Sequence, residues 1–510
     1  MFPTGVFYSC LDIYIDRQYN DPVNSKTGRR KRTIHKKRAD GMRKQTYDVV
    51  IVGTGAAGLY CALNLPERMQ VCMLTKRKAD ESDSFLAQGG ICMLRGEADY
   101  ENYFEDTMRA GHYENDPKAV EVMIRSSNAV IRDLLRLGVA FQRSPAGELD
   151  FTREGAHSRP RILFHEDVTG REITGALLRQ ALARPNIHLF ENTTVVDILE
   201  RSRVCGGVAA VDETGAPFAV YASAVVLATG GVGGLYANST NYPHITGDAL
   251  GIALRHHVRL ENADYVQIHP TTLFSRKPGR RFLISESVRG EGALLYDKNG
   301  NRFTNELQPR DLLSRAIFAQ MERDGTEYVQ EDLRPIGEET VRRHFPNIYQ
   351  KCLEEGLNPL KEPIPVVPAQ HYFMGGIQVN LASRTSMPGL YACGETSCNG
   401  VHGRNRLASN SLLESLVFAQ RAADDILFSC ARVRCPEGEA DLSAYRDLDG
   451  LFAGYRAAIE NEMKRMEEEH ERNHHEAERG QTDSTGAAGG HYQRGRIHQR
   501  GDARAAAGNR

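Results

Sequence analysis

Residues 47–58 read Tyr-Asp-Val-Val-Ile-Val-Gly-Thr-Gly-Ala-Ala-Gly, and this stretch decides the fold. Tyr47–Val52 is a short β-branched run, the pattern of a parallel strand buried on both faces. It runs directly into Gly53-x-Gly55-x-x-Gly58, followed by a helical stretch, Leu59–Leu65, that Pro66 ends. A second strand is expected at Gln70–Thr75. Strand, glycine turn, helix and strand make a βαβ unit, the context that gives a GxGxxG match its meaning. Gly53 permits the tight turn, Gly55 lets the backbone approach a pyrophosphate, and Gly58 lets the helix pack closely on the strand. The helix N-terminus supplies free N–H groups and a positive dipole end for phosphates. One element departs from the generic fingerprint. Where an acidic residue would bind the ribose, this chain has Thr75 and Lys76. The ribose contact therefore comes from elsewhere, or Lys76 faces the phosphate or adenine side.

Outward from this unit, helical periodicity covers Tyr100–Gly111 and Pro117–Leu137, and a strand at Ala222–Leu227 ends at Ala228-Thr229-Gly230-Gly231. From Asn262 to Tyr372 the pattern is mixed, with many polar turns, as in an inserted domain. Strand-like, glycine-rich segments resume at Gly375 and Gly389, and Leu412–Leu427 reads as a helix. The expected class is α/β: a doubly wound dinucleotide-binding domain (42–261 and 373–431) interrupted by an α+β capping domain (262–372). Residues 1–41, with the basic run Gly28–Arg38, lack core periodicity and read as a disordered or mis-assigned extension; Met42 is a natural start. Within 432–510, Phe452, Tyr455, Ile459, Met463 and Met466 form one helical stripe. Beyond about Glu478 too few large apolar residues remain to offset the ordering entropy, so a disordered tail is expected.

A chain of 510 residues exceeds one compact core, and a net charge of −2 gives no general pull toward nucleic acid or anionic membrane. No apolar run approaches the roughly 18–20 residues of a spanning helix. The ten cysteines form no C-x-x-C pair and carry no zinc spacing, which points to free thiols in a reducing cytoplasm.

Two further features bear on chemistry. Ser84-Phe85-Leu86-Ala87-Gln88-Gly89-Gly90 is a second glycine loop, whose amides can meet the edge of an isoalloxazine ring that gains negative charge on reduction. Loops at His269-Pro270-Thr271, Ser285–Gly292, Pro309-Arg310-Asp311, His371-Tyr372 and His402–Arg406 mix arginine with histidine. Arginines fork onto carboxylates bidentately, and two of them with histidines hold a dianion.

These motifs together, with TREGAHS at 152–158, SESVRGEGA at 285–293 and HGRNRLASNSLLES at 402–415, resemble the succinate dehydrogenase and fumarate reductase flavoprotein family, and within it the L-aspartate oxidases. The resemblance runs from Tyr47 to Leu427. It implies FAD at the Gly53–Gly58 turn (Thr54, Gly55, Ala56, Ala57), at Lys76, at Asp83, Ser84, Phe85, Leu86, Ala87, Gln88, Gly89 and Gly90, and at Asp248, Glu395, Ser411 and Leu412. It implies substrate carboxylates against His269, Thr271, His371 and Arg406, and Glu154 at the substrate amino group. Arg310 matches the arginine given the proton-transfer role, with Glu286 and Arg289 as its relay; no metal is implied. Relatives that bond FAD covalently carry a histidine where this chain has Asp83, so the flavin is expected to be non-covalent. The implied reaction is oxidation of L-aspartate to iminosuccinate, with oxygen or fumarate as acceptor, in the first step of de novo NAD synthesis. Quinolinate synthase would be the functional partner. Two readings stand beside it: a soluble fumarate reductase or succinate dehydrogenase-like flavoprotein, opposed by Glu154, and an inactive flavin-binding paralogue, opposed by the intact arginine and histidine set.

Overall fold

The computed structural model describes residues 45–154, 156–429 and 440–486. The first strand, β1, spans Gln45–Val52, helix α1 spans Ala56–Asn64 and strand β2 spans Val71–Leu74. β1 lies between β2 and the long strand Pro217–Leu227, parallel to both, with Val49 opposite Val71 and Ala224. Ile187–Phe190 extends the parallel order beyond β2, and Leu390–Ala392 joins the upper half of Pro217–Leu227. At the other edge Val204–Val211 and Thr194–Arg201 add as antiparallel strands. Both faces of the centre are covered, and Val49, Val50 and Ile51 are fully buried, which is why β1 shows no polar alternation.

The helices that cover this sheet follow local signals. Pro117–Arg136 starts with Pro117 in its first turn, and the Asp116 carboxylate accepts from the amides of Lys118 (2.8 Å) and Ala119 (3.3 Å). Helix α1 packs against Asn410–Ser429, which returns the chain from the clamp motif to the sheet.

Residues between the halves of this layer build a second sheet. Its strands run in the order Phe282–Leu283, Val266–Leu273, Ile364–Phe373, Val329–Asp332 and Leu294–Tyr296, all antiparallel. A separate apolar core that includes Ile284, Val288, Leu295, Leu313, Ile317 and Ile364 joins it to helix Arg310–Asp324. This second layer brings Val266–Leu273 and the N-terminus of Arg310–Asp324 to the mouth of the glycine loops.

Residues through Met463 form one compact unit, and those from Lys464 onward a second. The last helix is Leu448–Gly486. Within the first unit, Tyr455 donates to Val196 O at 2.9 Å, and Ile459 is buried. The helix runs past Glu478, where composition predicts a disordered tail. Once nucleated, a helix adds one hydrogen bond per residue fixed, so it continues through poor formers. The basic segment Gly28–Arg38, the proposed start at Met42 and residues 487–510 lie outside the described residues.

Candidate functional site

The chain leaves β1 and turns at Gly53 with φ +112°, a conformation costly for a side-chain-bearing residue. A Cβ on Gly53 would overlap Ala228 O, and one on Gly58 would overlap Gly53 O. Gly55 caps α1 without a side-chain bond, and the first turn holds no acidic residue. The positive end of α1 therefore opens, uncompensated by any carboxylate of its own, onto a single elongated cavity. The second glycine loop lies against this helix start: Ser84 Oγ accepts from Ala56 N at 3.0 Å, and Thr169 Oγ donates to Gly89 O at 2.7 Å. A Cβ on Gly90 would overlap Ile162 and Leu163.

The cavity is lined by Gly53, Thr54, Gly55, Ala56, Ala57 and Lys76 on one side, and by Asp83, Ser84, Leu86, Ala87, Gln88, Gly89 and Gly90 on another. Asp248, Glu395, Ser411 and Leu412 complete this half. Gly58 and Phe85 do not line it. At the end of β2, Thr75 accepts from the Thr54 hydroxyl at 3.3 Å, and the Lys76 ammonium spans to Asp248 (2.8 Å), Thr246 Oγ (3.1 Å) and His244 O (3.2 Å).

Several buried polar atoms along this half lack a partner among the described residues: Ser82 Oγ, Gln88 Oε1 and Asp83 Oδ2. Burial pushes the Asp83 carboxyl up to about 7, against the pull of the Tyr242 amide and Arg280. Burial and the neighbouring Asp83 push Glu395 up to about 8. Amides at a helix start, two close-packed glycine turns and buried unpaired polar groups are what a dinucleotide with a polar ring system requires. The residues present fit FAD.

The far half of the cavity gathers two arginines, two histidines and two carboxylates. Glu154, His269, Glu286, Arg310, His371 and Arg406 share its wall. Arg310 starts helix Arg310–Asp324; its Nε donates to Glu286 Oε2 at 2.7 Å and its Nη1 to Gln267 Oε1 at 2.8 Å. Arg406 Nε donates to the same Gln267 oxygen at 3.2 Å, its Nη1 to Ser411 Oγ, and its guanidinium lies 4.5 Å from the centre of the Tyr372 ring. Burial opposes the charge of Glu286, but Arg310 and Arg289 outweigh it and hold the carboxyl down to about 2. Burial and the neighbouring Arg310 bring Arg406 down to about 10, so it stays charged near neutrality.

The histidines stay neutral. Burial, reinforced by Arg310, His371 and Arg289, holds His269 well below its usual range. Burial and the same kind of cationic neighbours, Arg406 and Arg310, do so for His371. Their rings meet edge-on, with centroids 5.1 Å apart. His269 Nδ1 lies 2.9 Å from Thr271 O, while its Nε2 is buried without a partner among the described residues. His371 Nδ1 lies 2.8 Å from Thr240 Oγ.

Glu154 is 4% exposed, and the Ser409 hydroxyl donates to its Oε2 at 2.7 Å. Burial and the charge of Glu286 raise its carboxyl, while Ser409, Arg310 and Arg406 pull the other way. Its segment is anchored from behind: Arg161, with no exposed surface, pairs with Asp99 (3.0 Å) and Asp106 (2.7 Å) and contacts His157 Nδ1 at 2.9 Å.

Two of the residues expected on the substrate side do not line the cavity either. Thr271 turns its hydroxyl to Ile284 O at 3.2 Å. Arg289 sits behind Glu286, with Nη1 donating to Glu306 O at 2.7 Å. Sequence reading missed Gln267, whose one carbonyl oxygen spaces the two arginines. The signal was there: strand alternation puts Gln267 on the face of His269. It also missed Ser409, for which no local signal exists.

The model of the FAD binding domain family matches residues 48–412. L-aspartate oxidase of Clostridium perfringens is 49% identical over 384 residues, covering 75% of this chain and 87% of that protein. L-aspartate oxidase of Clostridium acetobutylicum is 44% identical over 397 residues, covering 78% and 91%. Among solved structures, quinol fumarate reductase of E. coli superposes with a TM-score of 0.72 at 32% identity, covering 83% of this chain and 75% of that one.

Proposed function

The chain belongs to the FAD-binding-domain flavoproteins and, within them, to the L-aspartate oxidase family, and from that membership we propose that it oxidises L-aspartate to iminosuccinate, with oxygen or fumarate taking the electrons. One observation carries this reading: a buried carboxylate, Glu154, stands inside a cationic clamp on the wall that also bears the glycine loop. Arginines and neutral histidines suit a dicarboxylate. Only a carboxylate among them suits the ammonium that distinguishes aspartate from succinate.

FAD, when bound, supplies the two-electron acceptor. The protein's part is binding, orientation and proton handling. Gly53, Thr54, Gly55, Ala56 and Ala57 would hold its pyrophosphate, Lys76 and Asp248 the adenosine side, and Asp83, Ser84, Leu86, Ala87, Gln88, Gly89 and Gly90 with Glu395, Ser411 and Leu412 the ring side. Asp83 offers no imidazole for a covalent bond, so the flavin is held non-covalently. In the substrate half, Arg406, His269 and His371 hold the carboxylates, with Thr271 shaping the strand that carries His269. Glu154 takes the ammonium. Arg310, fixed at two nitrogens by Glu286 and Gln267, faces the reacting carbons and moves the proton, and Glu286 and Arg289 continue the path away from the cavity. A dianion entering this half meets two buried guanidiniums, Arg310 and Arg406, where each charge interaction is stronger than in solvent.

Iminosuccinate is a labile imine, so a dedicated consumer, quinolinate synthase on the route to NAD, fits as the functional partner. Buried free thiols at every described cysteine suit a reducing cytoplasm. No helix among the described residues is long and apolar enough to cross a membrane. The test is product analysis under argon with L-aspartate and fumarate together. The proposal expects equal amounts of succinate and of oxaloacetate with ammonia, the hydrolysis products of iminosuccinate. Turnover of succinate but not of aspartate would instead make the protein a soluble succinate or fumarate enzyme.

A further inference from the structure

Ser409 connects the flavin half of the cavity to the carboxylate that reads the amino group. It lies between the clamp arginine Arg406 and helix Asn410–Ser429, and its backbone has φ +62°, a left-handed conformation that costs a serine energy and a glycine almost none. A strained non-glycine residue at a ligand site calls for a reason. Here the hydroxyl supplies one. It accepts from Gly90 N at 3.2 Å and donates to Glu154 Oε2 at 2.7 Å. Both of its bonds leave the segment; neither caps the helix that begins at the next residue. The Ser409 carbonyl accepts from Cys92 N at 3.1 Å, and the preceding Ala408 carbonyl lies 3.0 Å from His157 Nε2, so the backbone around the hydroxyl is fixed from both sides. A Cβ on Gly89 would come 2.8 Å from Glu154 Oε1 and 3.3 Å from Ser409 Oγ, which puts the glycine loop directly under the carboxylate.

We infer that Ser409 is a positioning residue for substrate choice: its hydroxyl aims one oxygen of Glu154 and holds the carboxylate against the floor of the glycine loop, so that the other oxygen meets the substrate ammonium. The inference rests on the reading of Glu154 as the ammonium partner. With the hydroxyl gone, the carboxylate is freer to rotate and loses a donor that favours its charged form. An amino-bearing dicarboxylate suffers and an amino-free one does not.

The experiment uses the full chain loaded with FAD and compares Ser409→Gly, Ser409→Ala and Glu154→Gln with the parent. Ser409→Gly is the informative variant, because glycine adopts the positive φ without strain, and Ser409→Ala, which removes the hydroxyl alone, controls for the lost Cβ. Aspartate oxidation and fumarate reduction are each measured across pH. Both Ser409 variants should lose about tenfold or more in kcat/KM for L-aspartate, the scale of a lost hydrogen bond to a charged group, and keep fumarate reduction within about threefold. The acid limb of the aspartate profile should move to higher pH in both. The double variant Ser409→Gly with Glu154→Gln should be no worse than Glu154→Gln alone, since the serine acts through the carboxylate. If Glu154→Gln alters the aspartate-to-fumarate ratio and Ser409→Gly does not, the inference is overturned while the Glu154 reading stands. If Glu154→Gln leaves the ratio unchanged, both fall. An equal loss of both activities together with flavin in Ser409→Gly would make the serine a purely structural residue and overturn it as well.

Discussion

Glu154→Gln is the substitution with the sharpest expected outcome. Aspartate and succinate differ by one amino group, and the arginines and histidines of the clamp meet only the carboxylates they share. Glu154 is 4% exposed, so the weak energetics of surface ion pairs do not apply to it. Glutamine keeps the volume and can still accept from the Ser409 hydroxyl, so the local packing survives and the change removes charge alone. Deleting one partner of a buried charged pair costs about 2–5 kcal/mol, which is roughly 30-fold to a few thousand-fold in rate. Aspartate oxidation should therefore fall in kcat/KM by at least about 30-fold. Fumarate reduction from pre-reduced flavin should hold or rise, because the lost charge is one that repels a dianion. The assay pairs the two reactions on one preparation of matched flavin content. A parallel fall in both would show that Glu154 supports the glycine loop or the flavin, and the specificity argument would be wrong.

Other outcomes follow from the same geometry. Arg406→Leu should raise KM strongly, because its contact persists through ground and transition states, whereas Arg310→Leu should mainly lower kcat; equal and mild effects from both would contradict the assignment. Acid precipitation should release all the yellow colour into the supernatant, and colour left in the pellet would mean a covalent bond despite Asp83. Glu331 is buried with both carboxylate oxygens lacking a hydrogen-bond partner among the described residues, and burial pushes it up to about 8, with Arg289 opposing. An unfolded glutamate ionises near about 4.3, so folding takes up a proton between these values, and the destabilisation is absent below about pH 4 and complete above about pH 8. Glu331→Gln should thus raise Tm over the parent by several degrees at pH 8 and by little near pH 5; a gain independent of pH would show that the carboxyl ionises normally.

What the sequence made legible is what local chemistry dictates. Gly53 and Gly58 occupy places where a Cβ would overlap backbone, so the fingerprint reports a geometric necessity and could be read from its spacing within the strand–helix context. The helix expected at Pro117–Leu137 was legible from its apolar periodicity and is observed at Pro117–Arg136. The arginines and histidines were legible as a set, because several such residues in separate loops have few uses outside anion binding. What depends on long-range closure was not legible. Gln267 looks like any polar residue in a strand until Arg310 and Arg406, from distant segments, arrive on its one carbonyl oxygen. The Arg161 pairing with Asp99 and Asp106 likewise exists only once the chain has folded. Thr271 shows the opposite limit: its motif points to the substrate, yet its hydroxyl is bound to a main-chain oxygen in the second core.

The most direct measurement is the flavin spectrum of the purified protein under argon as L-aspartate or succinate is added. The account predicts rapid bleaching of the visible flavin band by L-aspartate and slow or no bleaching by succinate at the same concentration. Faster bleaching by succinate, or an unchanged spectrum with both, would contradict it.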